Sequence, residues 1–134
     1  MTKYIMDKKL ILKTYINQFD EFLDDTLRLF PKDTDIRYCK TSFNIIKKTN
    51  PKMIIKSWKL YITDKYKKQI EDSDVDFFMN KNYTDDLVDV SNSQYVIKTI
   101  NRLKKPMAKM DINNKIKCMK YLQNLSKLSE LYFD

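Results

Sequence analysis

The stretch that decides the fold is LKTYINQFDEFLDDTLRLFP, residues 12–31. Its apolar side chains recur mainly at three- and four-residue steps, which is the pattern of a long amphipathic helix. They are Leu12, Tyr15, Ile16, Phe19, Phe22, Leu23, Leu27 and Phe30. We expect this helix to begin near Ile5 and to end before Pro31, because proline disrupts a helix interior.

Two more helices follow with the same spacing. Asp33 or Thr34 is expected to cap the second helix, whose inner face holds Ile36, Cys39, Phe43 and Ile46. Asn50-Pro51 suits the start of a third, because Asn accepts bonds from free amides and Pro favours the first helical position. The predicted inner face of this third helix is Ile54, Ile55, Trp58, Tyr61, Ile62, Tyr66 and Ile70.

The second half of the chain begins with an acidic segment, residues 72–90, which carries six aspartates and one lysine. There we expect a short helix over residues 74–79 and a turn. Ser91 or Ser93 then starts a helix that Pro106 should kink or end, and Asp111 caps the last helix. The predicted inner faces of these two helices hold Val96, Ile97, Ile100 and Leu103, then Ile112, Ile116, Met119, Leu122, Leu125, Leu128 and Tyr132.

These elements predict an all-α fold, a compact bundle of about five principal helices with one short acidic helix-turn segment. No internal repeat, long linker or low-complexity tract divides the sequence. We therefore expect a single domain over residues 1–134, a length that is sufficient for one continuous core.

Glycine and histidine are both absent from the 134 residues. At average usage of about 7%, roughly nine glycines would be expected. Their absence argues against phosphate-binding loops and dinucleotide sites, and the lack of histidine against most zinc sites and Ser-His-Asp chemistry. We expect no enzyme, cofactor or metal. Cys39 and Cys118 lack a Cys-x-x-Cys partner and are interpreted as reduced core residues.

The alternating carboxylates of Asp72, Asp74 and Asp76 resemble the opening of a calcium loop. The sixth position, which needs a sharp glycine turn, is Phe77, and the twelfth, which needs a bidentate Glu, is Tyr83. Aspartates at a helix start also complement the positive end of the helix dipole. We therefore interpret them as capping and solvated residues.

The net charge of +8 comes from 23 lysines and only three arginines against 18 acidic residues. Excess Lys, Ile and Asn with scarce Gly, Ala and Arg is typical of an AT-rich genome, so the lysines are weak evidence for nucleic acid. Two lines of basic residues at helical spacing are candidates for phosphate contacts: Lys52, Lys56 and Lys59, and Lys98, Arg102, Lys105 and Lys109. The alternative is a solvated helix face.

The pair Phe77-Phe78 is the candidate anchor for a protein partner, together with Tyr83. Adjacent residues on a helix point in different directions, so one of the two rings is expected to stay exposed. The alternative is that both rings fill the end of the bundle.

Four segments resemble an uncharacterised family of small helical proteins from large nucleocytoplasmic DNA viruses, the giant and algal viruses. They are FLDDTLRLFP (residues 22–31), NPKMIIKSWKLYI (50–62), DFFMNKNYTDDL (76–87) and MKYLQNLSKL (119–128). The similarity covers most of the chain from about Phe19 onward. It implies a viral origin, and it implies no activity and no site.

We therefore expect a non-catalytic interaction or structural protein, viral in origin, that binds a protein partner. The alternative is a nucleic-acid-binding protein without sequence preference, and a third hypothesis is a hydrophobic groove for an amphipathic helix. No run of residues approaches a membrane span, and charges interrupt the amino-terminal stretch. We expect an intracellular protein, in the host cytoplasm, viral factory or virion, with self-association left open.

Overall fold

Helices make up most of residues 7–80 and 94–134, the part of the chain that the computed structural model describes, and this part contains no strand. In order they are α1 (Lys8–Leu29), α2 (Thr34–Thr49), α3 (Pro51–Trp58), a π-helical segment (Lys59–Thr63), α4 (Lys67–Glu71), α5 (Val75–Asn80), α6 (Gln94–Ala108) and α7 (Ile112–Tyr132). The all-α prediction is confirmed. None of these described helices is long and apolar enough to cross a membrane.

Aspartates begin three of the helices. The side chain of Asp7 accepts from the amide of Lys9, that of Asp33 from Ile36, and that of Asp111 from Asn114. Each carboxylate satisfies an amide that has no partner inside its helix and lies at the positive end of the helix dipole. The predicted cap at Asp111 is confirmed, and Asp33 rather than Thr34 caps α2.

The junction between α2 and α3 differs in one detail from the expectation. Pro51 is the first residue of α3, as predicted, but the Asn50 side chain makes no capping bond. The backbone of Asn50 instead ends α2, since its N–H donates to the carbonyl of Ile46. One residue therefore serves both helix ends through its main chain, and Pro51 has no amide hydrogen that would need a cap.

The core is built around the aromatic side chains of α1. The Phe19 ring stacks on Phe43 of α2 at 4.8 Å between centroids and meets Trp58 of α3 edge-on at 5.8 Å. All three rings are fully buried. The indole N–H of Trp58 donates to Ser126 Oγ of α7 over 3.0 Å. Helices α1, α3 and α7 thus meet at one tryptophan, and α2 joins them through Phe19, within a hydrophobic cluster to which every described helix contributes.

The predicted third helix is not one continuous α-helix. After Trp58 the chain widens into the π-helical segment, turns, and resumes as α4. Within the π-helical segment, Thr63 is buried and its hydroxyl lies 2.7 Å from Ser129 Oγ of α7. Ile62, Tyr66 and Ile70 are buried, as predicted for a continuous helix. Because the same residues are buried with or without the π-helical turn, the spacing of apolar residues could not predict this turn.

One expectation about α7 is wrong, and one of the two alternatives for α6 is excluded. Helix α6 continues past Pro106 to Ala108, so the proline does not end it. A proline in the last turn removes only one helical hydrogen bond. In α7, Ile112 and Ile116 were expected inside but are 64% and 50% exposed. At 3.6 residues per turn they lie roughly opposite Tyr121, which faces α1, so they point away from the core.

The connection from α4 to α5 shows how a helix ends without glycine. Ser73 has a φ of 53°, in the left-handed region that favours glycine. The amide of Asp74 donates to the Gln69 carbonyl and that of Ser73 to Ile70, which is the Schellman arrangement. Gln123 of α7 donates to both Ser73 Oγ and the Ile70 carbonyl. These bonds hold a serine in a conformation that it adopts rarely by itself.

One buried hydroxyl generates a stability prediction. Tyr15 Oη is fully buried and has no hydrogen-bond partner among the described residues, which is unfavourable by about 1–3 kcal/mol. Tyr15→Phe should therefore raise the free energy of unfolding, by about 1 kcal/mol, in urea titrations. Tyr95→Phe is the matched control, because the Tyr95 hydroxyl donates to the Cys39 carbonyl, and it should lower stability. Destabilisation of similar size in both variants would contradict this account.

Candidate interaction surface

One member of the predicted aromatic anchor, Phe78, is a core residue and not an exposed anchor. Phe78 is 3% exposed and belongs to the core cluster. Its ring meets Tyr66 edge-on at 6.1 Å and Phe77 at 5.2 Å. Phe77 is half-buried and packs on Tyr66 at 5.3 Å. Phe78 thus belongs to the core cluster and Phe77 packs against it, whereas Tyr83 lies outside the described residues.

The aspartates before α5 have a structural role in the part of the chain that the structure describes. Asp74 Oδ1 accepts from the amide of Phe77 over 3.1 Å, so Asp74 caps α5. Asp76 lies in the first turn of the same helix. This is the capping arrangement that the sequence favoured over a calcium loop.

Three of the four basic residues of the predicted line lie on α6, and Lys109 directly follows its end. The one arginine of this line forms an ion pair. Lys98, Lys105 and Lys109 are exposed. Arg102 Nη1 lies 2.8 Å from Asp35 Oδ1 of α2, and its guanidinium lies 4.2 Å from the Tyr38 ring centroid. The exposed positive charges of this line are therefore lysine ammonium groups, and its guanidinium is paired with Asp35.

The other two arginines are engaged as well. Arg28 pairs with Asp25 at 2.8 Å, and Arg37 Nε donates to the Pro31 carbonyl over 2.9 Å. Each guanidinium of the chain thus has an intramolecular partner. Bidentate recognition of phosphates and guanine bases depends on this group.

The predicted line on α3 is divided in the same way. Lys52 and Lys56 are exposed, whereas Lys59 Nζ lies 2.5 Å from Asp64 Oδ1. Lys52 follows Pro51 directly, so the start of this line adjoins a groove that Pro51 lines.

That groove, here called the lysine groove, lies where the end of α2 and the start of α3 flank the first half of α1. It has a volume of about 270 Å³. Its lining comprises Lys9, Leu12, Lys13, Ile16 and Asn17 of α1 with Lys47 and Pro51. Leu12 and Ile16 are half-buried and pack on the core. The floor is therefore apolar, and each charged side chain of the lining is a lysine.

Ion pairs neutralise the lysines unequally. Lys47 lies 3.3 Å from Asp20 Oδ2, and Lys40 binds Asp20 and Asp24. Lys9 and Lys13 form no ion pair with any described residue and are exposed. Positive charge at the groove is thus concentrated on α1.

Two other cavities have mixed charge. One of about 370 Å³ between α4 and α7 is lined by Lys67, Glu71, Lys127 and Glu130, and Lys67 pairs with Glu130 at 3.2 Å. The other, of about 90 Å³, contains Asp25, which binds the Tyr121 hydroxyl and Lys117. Of these three cavities the lysine groove alone has charged residues of a single sign.

The two thiols are free and buried, as expected for core cysteines. Burial raises the pKa of Cys39 to about 11 and that of Cys118 to about 12. Both side chains are therefore protonated at neutral pH, a state in which sulfur is a weak nucleophile.

No protein-family model, curated protein or solved structure matches the chain. The lysine groove was not predicted from the sequence, although one signal was visible. Lys9 and Lys13 are four residues apart, as are Leu12 and Ile16, so each pair lies on one face of α1. Their association with Lys47 and Pro51 depends on tertiary packing.

The burial of Phe78 generates a prediction that separates core from anchor. Phe78→Ala should lower the free energy of unfolding by about 3–5 kcal/mol, as is typical when a buried aromatic is truncated. Phe77→Ala should cost less, since that ring is only half-buried. Urea unfolding followed by circular dichroism measures both. A Phe78→Ala protein of unchanged stability would contradict the assignment to the core.

The ion pairs of Asp20 generate a pH prediction. Burial acts to raise the pKa of Asp20, but the bonds from Lys40 and Lys47 outweigh it and the pKa is lowered. Its stabilising contribution is therefore present at neutral pH and lost as the pH falls through the acidic range. Asp20→Asn should be less stable than the native chain at about pH 7, with a difference that shrinks below about pH 4.

Thermal unfolding across this pH range measures the difference. Glu21→Gln is the control, because Glu21 is exposed and forms no ion pair within the described residues. A constant deficit of Asp20→Asn at all pH values would contradict the role of the carboxylate charge.

Proposed function

We propose that the protein is a non-catalytic helical interaction protein that binds a protein partner at the lysine groove. The observation that carries this proposal is the apolar floor of Leu12 and Ile16 beside two lysines, Lys9 and Lys13, that form no ion pair with the described residues. Apolar contact supplies most of the binding energy in protein interfaces, and complementary charge favours encounter and specificity.

A nucleic-acid-binding protein is the second candidate, and the exposed lysines favour it. Lys52 and Lys56 on α3 and Lys98, Lys105 and Lys109 in and beside α6 would contact phosphates without sequence preference. The ion-paired or hydrogen-bonded guanidiniums count against it, and so do the buried or partly buried positions of most of the described aromatic rings, because single-strand binding relies on exposed stacking platforms. We therefore rank it second.

The proposed setting follows from the resemblance to the viral family. It is the cytoplasm, viral factory or virion of an infected cell. The buried, protonated thiols support a non-catalytic role, since they offer no reactive nucleophile at neutral pH.

Photocrosslinking in the cells that produce the protein tests the proposal. Asn17, in the groove, and Asn113, on α7, are both exposed asparagines. A benzophenone amino acid at position 17 should yield discrete adducts that protease removes and nuclease leaves intact, whereas position 113 should yield none. Nuclease-sensitive adducts would favour the second candidate. Equal adducts at both positions, or none, would contradict a partner site at the groove.

A further inference from the structure

We infer that the partner segment held in the lysine groove is an acidic amphipathic helix. This inference rests on the proposed function and adds the chemistry of the partner. It is carried by the periodicity, the charge and the apolar floor of the groove.

The side chains of α1 that line the groove recur at one-turn intervals. Lys9 and Lys13 are one turn apart on α1, as are Leu12 and Ile16, so each pair is separated by about 6 Å along the axis. A helix lying along α1 presents its own side chains at the same interval, at positions i, i+3, i+4 and i+7. Apolar side chains of such a helix would contact Leu12 and Ile16 while carboxylates at its edge meet Lys9 and Lys13.

The sign of the charge selects the partner. Lys9 and Lys13 carry charge that no described acidic side chain neutralises, and the lining contains no carboxylate. Asp7, which caps α1, accepts from the Lys9 amide, and Asp20, the first acidic residue within α1, is held by Lys40 and Lys47. A basic or neutral helix would leave these lysines partly desolvated and unpaired, whereas an acidic helix would pair them.

The expected salt dependence of binding distinguishes an acidic helix from a nucleic-acid backbone. Exposed ion pairs contribute about 0.2–1 kcal/mol each, so two such pairs produce only a moderate dependence on salt. The hydrophobic contact with Leu12, Ile16 and Pro51 persists at high salt. Binding to nucleic acid through many phosphates would instead fall steeply as salt rises.

Fluorescence anisotropy with the whole chain tests the inference. The probe is a labelled synthetic helix of about 18 residues, about five turns, with leucines along one face and glutamates beside them. A peptide of the same composition in scrambled order and a DNA duplex are the comparison ligands. We expect the ordered peptide to bind, the scrambled peptide to bind at least about ten-fold more weakly, and affinity to fall only moderately between about 50 and 200 mM salt.

Charge-neutralising variants locate the site. Lys9→Gln with Lys13→Gln should weaken binding of the ordered peptide about five-fold, as expected for loss of two exposed pairs. Lys98→Gln with Lys105→Gln removes the same charge from exposed positions on α6 and should change affinity less than about two-fold. The circular-dichroism spectra of both double variants should match that of the native protein.

Three results would overturn the inference: equal affinity for the scrambled peptide, equal loss in the two double variants, or no binding of the ordered peptide. Protease-sensitive adducts at position 17 without binding of the ordered peptide would leave the protein-partner proposal standing and exclude the acidic helix as its partner. Failure of both experiments would remove the proposed function as well.

Discussion

The packing of Trp58 is the interaction on which the rest of the structure depends. Its ring meets Tyr15 and Phe19 of α1 edge-on, and its indole N–H bonds to Ser126 of α7. Phe19 in turn stacks on Phe43 of α2. A large ring with one polar atom fits only where that atom has a partner, so this contact fixes the relative positions of α1, α3 and α7. The lysine groove results from that arrangement, since it requires the start of α3 to lie beside α1.

The chain has no glycine, and polar side chains stabilise both the beginnings and the ends of its helices. Aspartate side chains satisfy the first amides of α1, α2 and α7, which needs no unusual backbone conformation. The left-handed residue Ser73 is accommodated by bonds from Gln123. A chain rich in lysine, asparagine and aspartate thus replaces backbone freedom with side-chain hydrogen bonds at its connections.

Helical spacing predicted the fold class and the buried face of α1, because aromatic residues such as Phe19 and Phe22 recur on one side of it. In α7 apolar residues occur on both sides, so spacing could not distinguish Tyr121, which packs on Phe22 of α1, from Ile112. The position of Phe78 depends on how the short α5 meets Tyr66, which no local pattern records. The groove depends on residues from α1, α2 and α3, and only the spacing along α1 was visible in the sequence.

The central claim is that a partner helix lies on the apolar floor of the lysine groove. NMR of methyl-labelled protein tests this claim most directly. During titration with the ordered acidic peptide, the methyl signals of Leu12 and Ile16 should shift. Those of Ile112 and Ile116, which are exposed on α7, should stay in place. Shifts at Ile112 and Ile116 with unchanged signals at Leu12 and Ile16 would contradict the account.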